Sequence, residues 1–288
     1  MKFGVTMFPT DRALSPVRLG VLVEEMGFES LFLPEHSHVP VDRASAFPSG
    51  GELPDDFYRF HDPLECLSAV AAVTTRLVLG TSTLVLPDHD PILLAKRVAT
   101  LDHLSGGRVV LGVGAGWNLE EIANHGRDPA LRFVVFTEMI EALKEIWTSD
   151  VACYSGRCIR FAPLRQWPKP VQVPHPPVLV GGSGPTVERR VLRVGDGWIA
   201  SGRHLDGEVL AARVANVRRM ADGAGRPAPP VTLQQATPAP AAIEAYLELG
   251  LERVTFRVDP GDEAAVAGQL EGLAALVQPY ATGKEAGR

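Results

Sequence analysis

Cysteine is scarce in this chain of 288 residues: Cys66, Cys153 and Cys158 are all there is. An odd count with no C-x-x-C spacing argues against a disulfide framework and against a zinc site, and it suits a reducing compartment. A basic excess is missing as well. The formal net charge is −6 and the pI about 5.8, so nothing marks the chain for nucleic acid or an anionic membrane. Of the 28 basic residues only five are lysine, and none stands in a G-x-x-x-x-G-K-[ST] phosphate loop or at a middle strand end where it could bridge two metals. No apolar run approaches the length of a membrane span. The opening MKFGVTMFPTD lacks the apolar core of a signal peptide, and the expectation is a cytoplasmic protein.

What is present is one pattern repeated from end to end. A short β-branched or apolar run is followed by a turn and then by a segment of helical periodicity. The runs fall at 3–8, 30–34, 77–87, 108–116, 177–182, 197–201, 231–235 and 253–258. Ser15-Pro16 and Asp62-Pro63 supply helix N-caps with proline at the first helical position, and Gly27 stops the first helix at Met26. Residues 150–177 break the rhythm with a YSGR hairpin turn and a proline-rich stretch, and read as an insertion in the C-terminal half. Eight strand–helix units without a composition shift predict a single (β/α)8 TIM barrel over 1–288, with a doubly wound sheet as the competing arrangement.

Chemistry in such a barrel sits at the C-terminal strand ends. After the second run come Glu35, His36 and His38; His36 is the candidate for proton transfer, and a buried Glu35–His36 pair is the plainer alternative. The H-x-H spacing also admits a metal-dependent hydrolase, with His175, His204 and Asp259 as the further ligands it would need. Gly80 interrupts the third run, as at a bulge or a close backbone approach. The fourth run ends G-V-G-A-G-W, where Trp117 occupies the sixth place of a dinucleotide fingerprint and breaks it. The fifth runs into VLVGGSGPTVERR, where glycine-rich backbone meets a helix N-terminus and suits a phosphate. Phe8, Trp117 and Trp198, near strand boundaries, are candidates to line a substrate pocket.

Three stretches carry a family likeness. LGTSTLVLPDHDPILLAKRVATLDHLSGGRVVLGVGAGW (79–117), VLVGGSGPTVERRVLRVGDGWIASG (178–202) and FESLFLPEH (28–36) resemble the luciferase-like monooxygenase family, in particular its coenzyme F420-dependent oxidoreductase branch. The resemblance is specific to about residue 205. It implies a barrel, a homodimer, and coenzyme F420 or FMN bound at the C-terminal face. It implies a small-molecule substrate and, in the FMN mode, a separate reductase supplying reduced cofactor. On the same ground Ser82 and Thr83 match a non-prolyl cis peptide behind the ring, and Gly114, Ala115 and Gly116 match a turn beside the cofactor side chain. Gly181, Gly182, Ser183 and Gly184 match the phosphate cradle. Glu35 matches an acidic cofactor contact, and His36 a histidine near the reactive carbon. Two positions depart: sugar-phosphate-oxidising relatives carry glutamate at Trp117 and threonine at Val85, so a more apolar pocket is expected here.

Overall fold

The eight predicted runs become eight positions of one closed parallel sheet in a computed structural model that describes residues 1–205 and 207–281. The strands are β1 (Lys2–Met7), β2 (Ser30–Leu33), β3 (Val78–Thr81) and β4 (Leu84–Val85), then β5 (Val109–Gly114), β6 (Ala152–Ser155) and β7 (Arg160–Leu164). The remainder are β8 (Val178–Gly181), β9 (Gly197–Ser201), β10 (Val231–Gln234) and β11 (Arg253–Val258). Spatial order runs β3-β2-β1-β11-β10-β9-β8-β5, and β3 pairs with β5 through Leu79↔Val109 to close the barrel. The third predicted run is split. Its first half, β3, pairs with β2 and the lower part of β5, while β4 pairs only with the upper part, Leu84↔Val113. The break is Ser82–Thr83, and the peptide bond between them is cis.

The helices stop and start where short-range chemistry says they should. α1 (Pro16–Glu25) is capped by the Ser15 hydroxyl, which accepts from Arg18 N–H, and α2 (Pro63–Ala71) by the Asp62 carboxylate, which accepts from Leu64 and Glu65 N–H. α3 (Pro91–Ser105) ends on Gly106 at φ +66°, a left-handed cap that favours glycine. α4 (Leu119–Asn124) and α5 (Arg132–Thr148) follow β5. α6 (Val187–Val194), α7 (Gly207–Gly223), α8 (Pro240–Glu248) and α9 (Glu263–Ala281) complete the outer ring.

Side-chain alternation sorts the core into two layers. Phe32, Leu179 and Ile199 fill the barrel interior with Val110, while the larger apolar cluster lies between strands and helices. Gly80 belongs to the first layer: a Cβ there would sit 2.3 Å from the Phe32 ring, so the strand glycine makes room for that ring. The barrel base is pinned by Arg108, whose guanidinium donates to the carbonyls of Ala71, Thr74, Leu77 and Ser105 and to the Thr74 hydroxyl.

The insertion is an antiparallel hairpin, β6–β7, whose turn lies at 156–159, slightly beyond the YSGR expected. Glu138 of α5 explains the position. Its carboxylate accepts from the N–H groups of Arg157, Cys158 and Ile159 at 2.7–2.8 Å and fastens the hairpin to the helix. Among the described residues no helix is long and apolar enough to cross a membrane.

Candidate active site

The parallel sheet delivers the C-terminal ends of its strands to one face, where a cleft of about 480 Å³ opens, within the range that holds a cofactor-sized ligand. Phe8, Glu35, His36, Ser82, Thr83, Gly114, Ala115, Gly116, Trp117 and the loop 181–184 all line it. Trp198 does not. Alternation along β9 turns Ile199 into the barrel and Trp198 outward into the strand–helix layer, where it is fully buried. That corrects its expected place in the pocket wall.

Trp198 instead supports the glycine loop from behind. Its indole N–H donates to Gly182 O (3.1 Å), and Arg213 of α7 donates to the carbonyls of Ser183 (3.2 Å) and Gly184 (2.8 Å). Arg213 is itself held by Glu188. Three successive carbonyls are thus tied down, so the loop's remaining polar groups are N–H donors and the Ser183 hydroxyl, the set that binds an anion. Arg190 and, from the next strand end, Arg203 and His204 line the same part of the cleft. Thr83 packs between two glycines: a Cβ on Gly114 would lie 2.7 Å from its hydroxyl, and one on Gly181 2.8 Å from its methyl. Ser82 donates to the Gln234 carboxamide on the opposite side of the bulge.

The other half of the cleft is aromatic. Phe57 lies at the centre of a cluster, with ring centroids 5.7 Å from Phe8, 5.0 Å from Phe60, 5.2 Å from Phe47 and 5.4 Å from His36. His36 does not pair with its neighbour Glu35. Its Nδ1 lies 2.7 Å from Glu121 Oε2, and the Trp117 indole N–H donates to its Nε2 at 3.1 Å. Indole nitrogen is a donor only, so Nε2 must be unprotonated and Nδ1–H donates to the carboxylate. The ring is therefore a neutral imidazole of fixed tautomer. Burial would push Glu121 up, but the hydrogen bond from His36 and the backbone N–H of Ser37 outweigh it and hold the carboxyl below its ordinary value.

Glu35 reaches the cleft with its carboxylate already engaged by Val85 N–H (2.7 Å) and His89 Nε2 (3.0 Å). Burial alone would lower His89, and the Glu35 carboxylate reverses that and raises it. A neighbouring cavity of about 290 Å³ shares Glu35, His36 and Phe60 with the cleft and is also lined by Asp88 and His125. Both Asp88 carboxylate oxygens are buried without a hydrogen-bond partner. Burial, reinforced by the charges of Glu121 and Glu35, pushes its carboxyl up to about 8. The folded chain then binds this proton more tightly than the unfolded chain does. Its stability contribution is present at low pH and lost as pH rises from the ordinary aspartate value of 3.8 through about 8. Asp88→Asn, neutral at every pH, is therefore expected to raise stability by about 1–3 kcal/mol at alkaline pH and much less near pH ~4. Thermal melts across that range check it, and a pH-independent difference would contradict it.

Glu121, His89, Asp88 and Arg213 were not singled out by sequence. Among the described residues no group of three or more His, Cys, Asp and Glu side chains is placed to hold a metal, and His36 and His38 face different partners, Glu121 and Asn124.

A closed parallel barrel with an anion-ready loop and an apolar, histidine-bearing wall at its strand ends is the architecture of a barrel enzyme. The chain belongs to the luciferase-like monooxygenase family, whose description matches residues 4–255. It is similar to an uncharacterised protein of Mycobacterium tuberculosis, 40% identical over 280 residues, 96% of this chain and 98% of that one. An F420-dependent glucose-6-phosphate dehydrogenase of Amycolatopsis mediterranei is 34% identical over 64% of this chain and 52% of its own. An FMNH(2)-dependent dimethylsulfone monooxygenase of Pseudomonas putida is 34% identical over 57% and 46%. In fold the chain is similar to a monooxygenase of Streptomyces bottropensis, with a TM-score of 0.83 at 21% identity, covering 98% of this chain and all of that one. The family is thus one of flavin- or F420-dependent oxidoreductases and monooxygenases.

Proposed function

We propose that this protein is a coenzyme F420-dependent oxidoreductase acting on a small organic substrate. The observation that carries the reading is the division of one cleft into an anion-binding end at Gly181–Gly184 and an aromatic end that holds a neutral histidine. The residues fit such a cofactor. Gly114 and Gly181 let Thr83 pack between them, where a Cβ on either would clash, a Cβ on Gly184 would meet nothing within 4 Å, and the loop carbonyls are committed elsewhere. In this reading Gly181–Gly184 hold the phosphate, the Ser82–Thr83 bulge backs the ring, and Gly114–Gly116 flank the side chain. Bound there, the cofactor supplies hydride exchange with a substrate carbon.

The chain's own residues position and handle the proton. His36 takes up at Nε2 the proton a substrate releases on oxidation, or returns it on reduction, and the Glu121 carboxylate stabilises the imidazolium. Because Trp117 N–H now occupies Nε2, the indole must yield this site as the proton arrives. The aromatic wall excludes water and favours an apolar substrate body. A homodimer belongs to the same reading.

A second reading, an FMNH2-dependent monooxygenase served by a separate reductase, rests on the likeness to the Pseudomonas putida enzyme. Titration with coenzyme F420 and with FMN, followed by absorbance and fluorescence, separates the two. F420 is expected to bind the more tightly; FMN binding alone would favour the second reading, and binding of neither would overturn both.

A further inference from the structure

The rim beyond the glycine loop carries charge that the chemistry above does not use. Arg132 opens α5 and Arg190 lies in the first turn of α6, and both guanidinium carbons sit 4.5 Å from the centroid of the Phe133 ring. Phe133 is 41% exposed and lines the same cleft as Arg190 and Gly181–Gly184. Among the described residues neither arginine has an ion-pair partner. Arg190 donates to the Thr186 hydroxyl (2.7 Å) and Arg132 to the Pro129 carbonyl (3.1 Å), while Arg132 Nε is buried with no partner at all. The carboxylate that acts on Arg190, Glu188, is already bound by Arg213. Burial and the charge of Arg132 together hold Arg190 below its ordinary value. Two guanidinium groups gathered on one exposed ring, without a carboxylate, are a binding site for something negatively charged.

We propose that Arg132, Phe133 and Arg190 form a second anion subsite, which takes carboxylates carried beyond the phosphate of a cofactor seated in the glycine loop. The assignment rests on the cofactor reading above and goes further, because it distinguishes the candidates by chemistry. The FMN side chain ends at its phosphate. That of coenzyme F420 continues through a lactyl group into glutamyl residues, each bearing a carboxylate. The subsite has a use only for the longer, anionic tail.

The test compares three ligands by fluorescence or absorbance titration of the full chain: coenzyme F420 with several glutamates, the same deazaflavin truncated at its phosphate, and FMN. The wild type is expected to bind the tailed form at least about tenfold more tightly than the truncated form, with a preference that shrinks as salt screens it. The Arg132→Gln/Arg190→Gln variant is expected to remove that preference and leave the truncated form within about twofold, while Arg132→Lys/Arg190→Lys retains part of it. Far-UV circular dichroism confirms the fold of each variant. Equal wild-type affinity for tailed and truncated forms overturns the subsite and leaves the cofactor reading standing. Equal weakening of both forms in the glutamine variant also overturns it, by assigning the arginines to the phosphate itself. Failure of every deazaflavin to bind the wild type overturns the subsite and the cofactor reading together.

Discussion

Glu121→Gln is expected to lower turnover by roughly a hundredfold, the scale of lost acid–base assistance, with cofactor affinity nearly unchanged. The carboxylate accepts from His36 Nδ1–H on one oxygen and from Ser37 N–H on the other. A carboxamide cannot serve both. If its NH2 group faces Ser37, two donors meet there. If it faces His36, the imidazole must shift its proton to Nε2, where it meets the Trp117 indole N–H. Each orientation leaves a buried donor opposed by a donor, which costs about 1–3 kcal/mol. The second substitution that relieves this is Trp117→Phe. The double variant should therefore be more stable than the sum of the singles, and a double-mutant cycle by chemical denaturation reads the coupling. Additive effects would show that the tautomer is not held as described.

Gly181→Val is expected to abolish cofactor binding and to destabilise the fold by about 1–3 kcal/mol through overpacking. Its Cβ would approach Thr83 Cγ2 to 2.8 Å and the Val113 carbonyl to 2.9 Å. A rotamer change can move the Thr83 methyl aside, but the Val113 carbonyl is backbone in the adjacent strand and has nowhere to move. Gly184→Ala makes the contrast, since a Cβ there meets nothing within 4 Å. It should melt as the wild type does. Calorimetry with cofactor titration separates the two effects, and a Gly181→Val protein that binds normally would remove the loop from the site.

The barrel was legible because its signals are local. A β-branched run states a strand, Ser15-Pro16 and Asp62-Pro63 state helix starts, and the Ser82–Thr83 interruption and the 181–184 glycines are each contained in a few residues. What was not legible depends on partners far apart in the chain. Glu121 meets His36 across 85 positions, and Arg213 meets the glycine loop across about 30. Nothing around either residue marks it apart from ordinary helix charge. Trp198 shows a different limit: closeness to a strand end gives the height of a side chain in the barrel, while the strand's two-residue alternation decides its direction. Asp88 and His89 sit within the family-like stretch 79–117 yet gain their character only from burial against Glu35 and Glu121.

Past His38, the stretch 39–60 of the long connection between β2 and α2 carries Phe47, Phe57 and Phe60 into the aromatic wall and has its own attachments. Glu120 accepts from the N–H groups of Ala44 and Ser45, the Ser45 hydroxyl receives Leu119 N–H, and Arg59 binds Asp11 and Asp55. None of these touches the phosphate loop or the bulge. On the proposed reading, substrate choice and cofactor retention would be housed in separate parts of the chain. A new substrate range would arise by exchanging one surface segment of this barrel while its redox apparatus is inherited intact.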